Sequence, residues 1–386
     1  MTGTAKKKLQ LAVILTFLAV LGVSAARFAE AQDSPPSPIA DWRPGHPANG
    51  WRFVGPKACA ECHAAKFKTQ TASHMGRALF APGRADVLRD HPKLIFRAGK
   101  YNFLLARDGD RIMYTVSDGT KSLSLPVAYV FGDADMGQTY VLQHEGKFYE
   151  GRVSYYPDIK GLDLTMGHDR LTPTTLVEAM GREMRSEETR ACFRCHSTNA
   201  VSGNSLQLDQ LVEGVTCESC HGPGEKHVAA MRAGDLARKQ IFNPKRLSTE
   251  EVSNFCGTCH RTWAEVAGMG LLGVQNVRFQ PYRLTNSKCY DVDDPRISCT
   301  ACHDPHESPR HDTAFFDSKC TACHNAAGGA APAALKQSSQ RVAPLCPVGR
   351  TNCISCHMPK IELPGSHFKF SDHNIRIVRP GDLYPD

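Results

Sequence analysis

The chain has 386 residues, an ordinary apolar share of 41% and a formal charge of +7. That length allows two domains, and beyond residues 1–31 no stretch is long and apolar enough to span a bilayer. The unusual feature is the count of sixteen cysteines and seventeen histidines, whose arrangement decides how the rest is read.

Residues 1–31 are predicted to be a secretory signal peptide. Lys6, Lys7 and Lys8 form a charged start, Leu9 to Val23 is almost unbroken apolar sequence, and Ser24-Ala25-Ala26 or Ala29-Glu30-Ala31 offers small residues for cleavage. An uncleaved membrane anchor is the competing reading. Either way the bulk of the chain is expected on the exported side, the periplasm in a bacterium.

Segment 32–76 carries Cys59-Ala60-Glu61-Cys62-His63 on a predicted helix over 57–72. This is the first of seven copies of Cys-x-x-Cys-His. The others are Cys192-Cys195-His196, Cys217-Cys220-His221, Cys256-Cys259-His260, Cys299-Cys302-His303, Cys320-Cys323-His324 and Cys353-Cys356-His357. The pattern is the attachment signature of c-type haem. Two thiols about one helical turn apart reach the two vinyl groups of a porphyrin, and the next residue places an imidazole under the iron as proximal ligand. Zinc ribbons also use Cys-x-x-Cys, but two halves serve each metal, so seven copies leave one unmatched. A thioredoxin-like pair does not explain a histidine after every copy. The expected cofactor is therefore seven covalently attached haems c.

Their charge changes the reading of the basic surplus. Removing residues 1–31 takes away Lys6, Lys7, Lys8 and Arg27 against Glu30 and leaves +4. Each ferric haem with its propionates brings about −1, so the total falls to about −3. The lysines and arginines then act as counterweights to propionates, and nucleic acid is not expected as a partner.

Segment 77–173 holds no haem motif. Leu94-Ile95-Phe96, Tyr101 to Ala106, Ile112 to Val116, Leu123 to Phe131, Tyr140 to His144 and Phe148 to Tyr156 are strand-like runs. Asp108-Gly109, Asp118-Gly119 and Gly146-Lys147 mark tight turns between them. A small antiparallel β-module is expected here, inserted into a mainly α-helical multihaem fold whose core is largely porphyrin. Segment 174–386 carries the other six motifs. A polar helix over 174–190 is predicted to lead into Cys192, and Ser248 with Glu251 forms a capping box before Cys256. Residues 325–345 read as a flexible connector. Cys289 and Cys346 lie outside the motifs, and a mutual disulfide, free thiols or another role all stay open.

The sixth ligand of each iron decides between wire and enzyme. Ten histidines lie outside the motifs. His74 follows the first motif in a helix-like stretch. His227 stands in Cys-His-Gly-Pro-Gly-Glu-Lys-His, where the turn residues lead the chain away from its own haem. His306 in Cys-His-Asp-Pro-His is too close to His303 to reach the far face of the same porphyrin. His373 sits in Ser-Asp-His-Asn, with Asp372 placed to orient the chain. These four are the distal candidates. His168, His311 and His367 rank below them, and His46, His91 and His144 read as ordinary residues. Met358 is too close to His357 to cross the ring, and Met75 and Met166 are poorly placed, so bis-histidine haems of low potential are expected.

These segments resemble the multihaem cytochromes related to the tetrahaem electron acceptor of hydroxylamine oxidoreductase. The matching stretches are Val54-Gly55-Pro56-Lys57-Ala58-Cys59-Ala60-Glu61-Cys62-His63 with Ser73-His74, Gly214-Val215-Thr216-Cys217-Glu218-Ser219-Cys220-His221-Gly222-Pro223-Gly224, Cys302-His303-Asp304-Pro305-His306, and Cys356-His357-Met358-Pro359 with Asp372-His373. The resemblance implies a mostly helical fold with stacked haem pairs, and His74, His227, His306 and His373 serving haems other than their own. Seven motifs instead of four, and the β-module, depart from that pattern.

An exported electron-transfer protein in a respiratory pathway, meeting redox partner proteins, is the leading expectation, because tunnelling along a dense haem row needs no substrate pocket. The alternative is an oxidoreductase acting on a small nitrogen or sulfur compound at one five-coordinate haem, with Arg170, His168, Tyr155 and Tyr156 as candidate proton donors and substrate binders. A third reading fixes the chain in a membrane-associated respiratory complex, with the β-module as docking surface.

Overall fold

The computed structural model describes residues 42–47, 50–324 and 346–385. The expected signal at 1–31 and the expected connector at 325–345 lie outside the described residues.

Each of the six strand-like runs lies on a strand, and three short strands join them in one antiparallel sheet. The nine are β1 (Leu79–Phe80), β2 (Lys93–Ala98), β3 (Tyr101–Asp108), β4 (Arg111–Ser117), β5 (Ser122–Phe131), β6 (Gln138–His144), β7 (Lys147–Tyr156), β8 (Gly161–Leu164) and β9 (Gly181–Glu183). Strands β2 to β8 pair in chain order, β1 adds to β5, and β9 adds to β7. The two ends of the path, β2 and β8, come back into contact, so the sheet is nearly closed.

Side chains alternate across a pleated strand, and here one parity fills the interior. Phe103 faces Val116 and Leu105 faces Tyr114 across β3 and β4. Ile112, Val130, Tyr140, Leu142 and Val153 complete a core from which water is excluded. The outer face of β5 to β7 is also apolar. Tyr129, Phe131 and Phe148 close round Phe193, with ring centroids 5.0, 5.3 and 5.9 Å away. Phe193 lies on the helix Ser186–His196, which carries the second haem motif. The sheet is thus seated directly on haem-binding sequence.

The expectation of a mainly α chain with a small β-module is overturned. Helix of all kinds makes up only 37%, and the nearly closed sheet is the largest element. Two physical causes account for the difference. The short strands β1, β8 and β9 are too brief to carry a periodic signal of their own, and several motif helices, such as Cys217–His221 and Cys353–His357, are barely one turn long. The polar helix expected over 174–190 is broken as well. Thr175 and Glu178 form a capping box on Leu176–Met180, the chain then runs extended through β9, and a second helix starts at Ser186. The break is fixed at Gly181, where a Cβ would lie 2.2 Å from the Glu150 carbonyl oxygen.

Gly181→Val should therefore unseat β9 and cost about 1–3 kcal/mol, as overpacking does. Gly268→Ala, within the helix Trp263–Met269 and with open space at its Cβ, should instead stabilise by up to about 1 kcal/mol. Thermal unfolding of the two variants checks both signs.

Candidate haem centres

All seven motifs begin on helix, and in four of them the helix ends at the motif histidine. The helix Pro56–Ala72 instead kinks at His63, where φ is −114° and ψ is 40°. The motifs are also neighbours in space. Thiols of different motifs interact in four pairs: Cys59 with Cys217, Cys195 with Cys259, Cys256 with Cys299, and Cys320 with Cys353. Cys302 and Cys320 also feel one another, and Cys220 acts on Cys256 and Cys259, which joins the three groups into one continuous series.

Three imidazole pairs stand out. His63 and His227 have ring centroids 6.4 Å apart with planes 16° from parallel. His221 and His306 are 6.1 Å apart at 14°, and His303 and His373 are 6.2 Å apart at 35°. A metal–imidazole bond of about 2 Å on each side, plus about 1 Å from nitrogen to ring centre, gives about 6 Å between rings that share one metal. Each pair joins a motif histidine to a candidate from further along the chain, and none joins a candidate to the histidine of its own motif.

Metal-bound histidines nearly always donate their second ring N–H to a fixed acceptor. The four distal candidates all do so through Nδ1. His74 donates to Asp133 Oδ2 at 2.9 Å, His227 to the Lys239 carbonyl at 2.6 Å, His306 to Asp304 Oδ1 at 2.8 Å, and His373 to the Ser371 carbonyl at 2.9 Å. Motif histidines follow the same rule: His196, His221 and His357 donate Nδ1–H to the carbonyls of Ala78, Phe242 and Arg376. In every case Nε2 is left for a metal. His168 and His367 are engaged the other way, with Nε2 on Glu150 at 3.1 Å and on Asp163 at 2.7 Å. The residues present therefore fit haem iron, and they sort the histidines into two classes. Burial pulls His196, His221, His260 and His303 below the ordinary imidazole value, and His373 to about 4, which keeps these rings neutral, as ligation requires.

Three buried carboxylates, of which the sequence pointed only to Asp372, tie these segments together. Glu218 accepts the backbone N–H groups of Val54, Gly55 and Gly224 at 2.7–2.9 Å, which fixes the third motif to the residues preceding the first motif and to the turn before His227. Burial pushes its carboxyl up and the three N–H groups oppose that rise. Asp317 accepts from the N–H of Asn352 and of Cys353, clamping the sixth motif to the seventh. Asp372, fully buried, takes both arms of the equally buried Arg283 at 2.9 and 3.0 Å and so fixes the chain beside His373. A Gly-Pro-Gly turn and an Asp next to a candidate ligand were visible as sequence; which distant groups they meet was not.

The residues considered for an open catalytic haem do not converge. Tyr155 and Tyr156 are adjacent on β7 and point to opposite faces; Tyr155 packs in the sheet core, whereas Tyr156 donates to the Leu164 carbonyl and lies tilted against the His367 ring at 4.8 Å. His168 is buried on Glu150, and Arg170 is exposed. Met166 accepts from Arg278. Among the lower-ranked histidines, His91 and His144 lie against Tyr155 and Tyr149, His46 against Trp42, and His311 is exposed. Cys289 and Cys346 are both free and exposed.

Comparison with known proteins agrees with this geometry. The family model described as cytochrome c554 and c-prime matches residues 169–222, which contain the second and third motifs. The multiheme cytochrome MtrA of Shewanella baltica (strain OS185) is 24% identical over 193 residues, covering 44% of this chain. The chain spans about half, 53%, of that relative's length. No solved structure matches. Both matches are to cytochromes, one of them multihaem, in keeping with covalently bound haem at the motifs. Among the described residues no helix is long and apolar enough to cross a membrane.

Removing one partner of a buried ion pair leaves the other charge stranded. Asp372→Ala should cost about 3–5 kcal/mol of stability, and the paired apolar replacement of Arg283 and Asp372 should recover part of it. Chemical denaturation of the three proteins measures both quantities.

Proposed function

We propose that this protein is an exported seven-haem cytochrome c that relays electrons between redox partner proteins in a respiratory pathway. The observation that carries the reading is the set of three imidazole pairs, each spaced to share one metal and each with its Nδ1 groups directed elsewhere where a partner is identified. When bound, each haem supplies a one-electron ferric/ferrous couple. The chain's part is to hold those couples close and dry. Cys59 and Cys62, Cys192 and Cys195, and the five following pairs anchor the porphyrins. His63, His196, His221, His260, His303, His324 and His357 are the proximal ligands, and His74, His227, His306 and His373 the distal ones.

Direct interaction between thiols of neighbouring motifs supports a continuous row, and the absence of convergence among Tyr155, Tyr156, His168 and Arg170 argues against the small-molecule oxidoreductase reading. The resemblance to the electron acceptor of hydroxylamine oxidoreductase supports a carrier that meets protein partners. Residues 1–31 support export to the periplasm.

Intact mass of the exported protein should give the polypeptide without its signal plus seven haems; bare polypeptide, or polypeptide with zinc, overturns the reading. His227→Ala, His306→Ala and His373→Ala should each convert one low-spin iron to high spin in the ferric electron paramagnetic resonance spectrum. His367→Ala should leave the spin count unchanged.

A further inference from the structure

The sheet touches the ligand set most closely at one place, the turn between β5 and β6. Gly132 opens that turn with φ at 93°, and a Cβ there would lie 2.2 Å from the Gly137 carbonyl oxygen, so only glycine folds it this tightly. The N–H groups of Met136 and Gly137 both donate to the Asp133 carbonyl, at 3.0 and 2.8 Å, and Gly132 N–H donates to the Ala78 carbonyl at 2.8 Å. Asp133 is held at the tip with its side chain 2% exposed. One carboxylate oxygen accepts from His74 Nδ1 at 2.9 Å, and the other faces Arg77 Nη2 at 3.1 Å. Asp86 shares that guanidinium at 3.0 Å.

The other distal candidates are served differently. His227 and His373 donate to neutral backbone carbonyls. His306 donates to Asp304, but that carboxylate is one-third exposed and is paired with Lys66 at 2.8 Å. Among the four, His74 alone rests on a buried carboxylate. A carboxylate acceptor strengthens an imidazole as a donor to metal, and a negative charge counts for more where water is excluded. The ferric state carries one more positive charge than the ferrous, so it is the state such a partner favours.

We infer that Asp133 lowers the reduction potential of the haem ligated by His74, so that the nine-stranded sheet acts on the electron-transfer row through the turn between β5 and β6. The inference rests on His74 being an axial ligand, as proposed above. Arg77 is the opposing element: it draws charge from Asp133 and moderates the effect.

The test is a spectroelectrochemical titration of the full-length haem-loaded protein with parallel electron paramagnetic resonance. Asp133→Asn keeps the shape of the side chain and removes its charge. It should favour the ferrous state of one haem by about tenfold, equivalent to about 59 mV for a one-electron couple, with that iron still low spin. Arg77→Gln should move the same midpoint in the opposite direction. Midpoints unchanged in Asp133→Asn, or moved the same way in both variants, overturn the inference. A high-spin iron in Asp133→Asn also overturns it, because the carboxylate would then be positioning the ring and not setting its donor strength. His74→Ala separates the two levels. A new high-spin iron upholds the ligand, whatever Asp133→Asn shows; an unchanged spin count removes the ligand and the inference with it.

Discussion

An imidazole has two nitrogens, and the organisation of this protein follows from using one of them on a fixed acceptor. With Nδ1 held by a carbonyl or carboxylate, both the tautomer and the ring direction are settled, and Nε2 faces the space where a metal belongs. His74, His227, His306 and His373 obey this rule with acceptors from four unrelated places: a sheet turn, the loop at Lys239, an Asp two residues upstream, and a local carbonyl. Everything else in the haem-binding part brings such acceptors and rings to the right positions. Glu218, Asp317 and Asp372 do this by tying the motif segments to one another through backbone N–H groups or a buried guanidinium.

How much of this was legible in the sequence depends on whether the chemistry is local. Covalent attachment requires two thiols and an imidazole within five residues, so all seven motifs are readable directly. The candidates His227 and His306 were nearly as readable, because Gly222-Pro223-Gly224 and Asp304-Pro305 lead the chain away from the preceding motif. The long strands β2 to β7 announced themselves by runs rich in Val, Ile, Leu, Phe and Tyr and by the turns between them. What failed was the sum: closure depends on β2 meeting β8, a contact between runs distant in the chain, and β1 and β9 are defined only by the strands they join. Gly181 looked like an ordinary helix glycine until the Glu150 carbonyl was placed beside it. Asp133 was invisible for the same reason, since nothing in Gly-Asp-Ala-Asp says which side chain it will meet.

The sheet is not a separate appendage. Its interior is a conventional apolar core, independent of cofactor, while its outer face packs Phe131 against the His196 ring at 5.2 Å as well as against Phe193. The haem-binding segments have much thinner cores: one further cluster contains only Trp42, Phe242 and Phe255 as fully buried members. The two parts therefore differ in what stabilises them. One is held by side-chain packing, the other by carboxylate ties and, in the proposed reading, by porphyrin.

The three imidazole pairs share one direction along the chain. His227 follows the third motif and meets the first, His306 follows the fifth and meets the third, and His373 follows the seventh and meets the fifth. In the proposed reading, a polypeptide exported N-terminus first would thus emerge with each of these irons incompletely dressed until two more motifs had appeared. Maturation becomes a lagging, overlapping sequence, and a chain truncated late, before His373, would leave a defect in the middle of the row and not merely at its end.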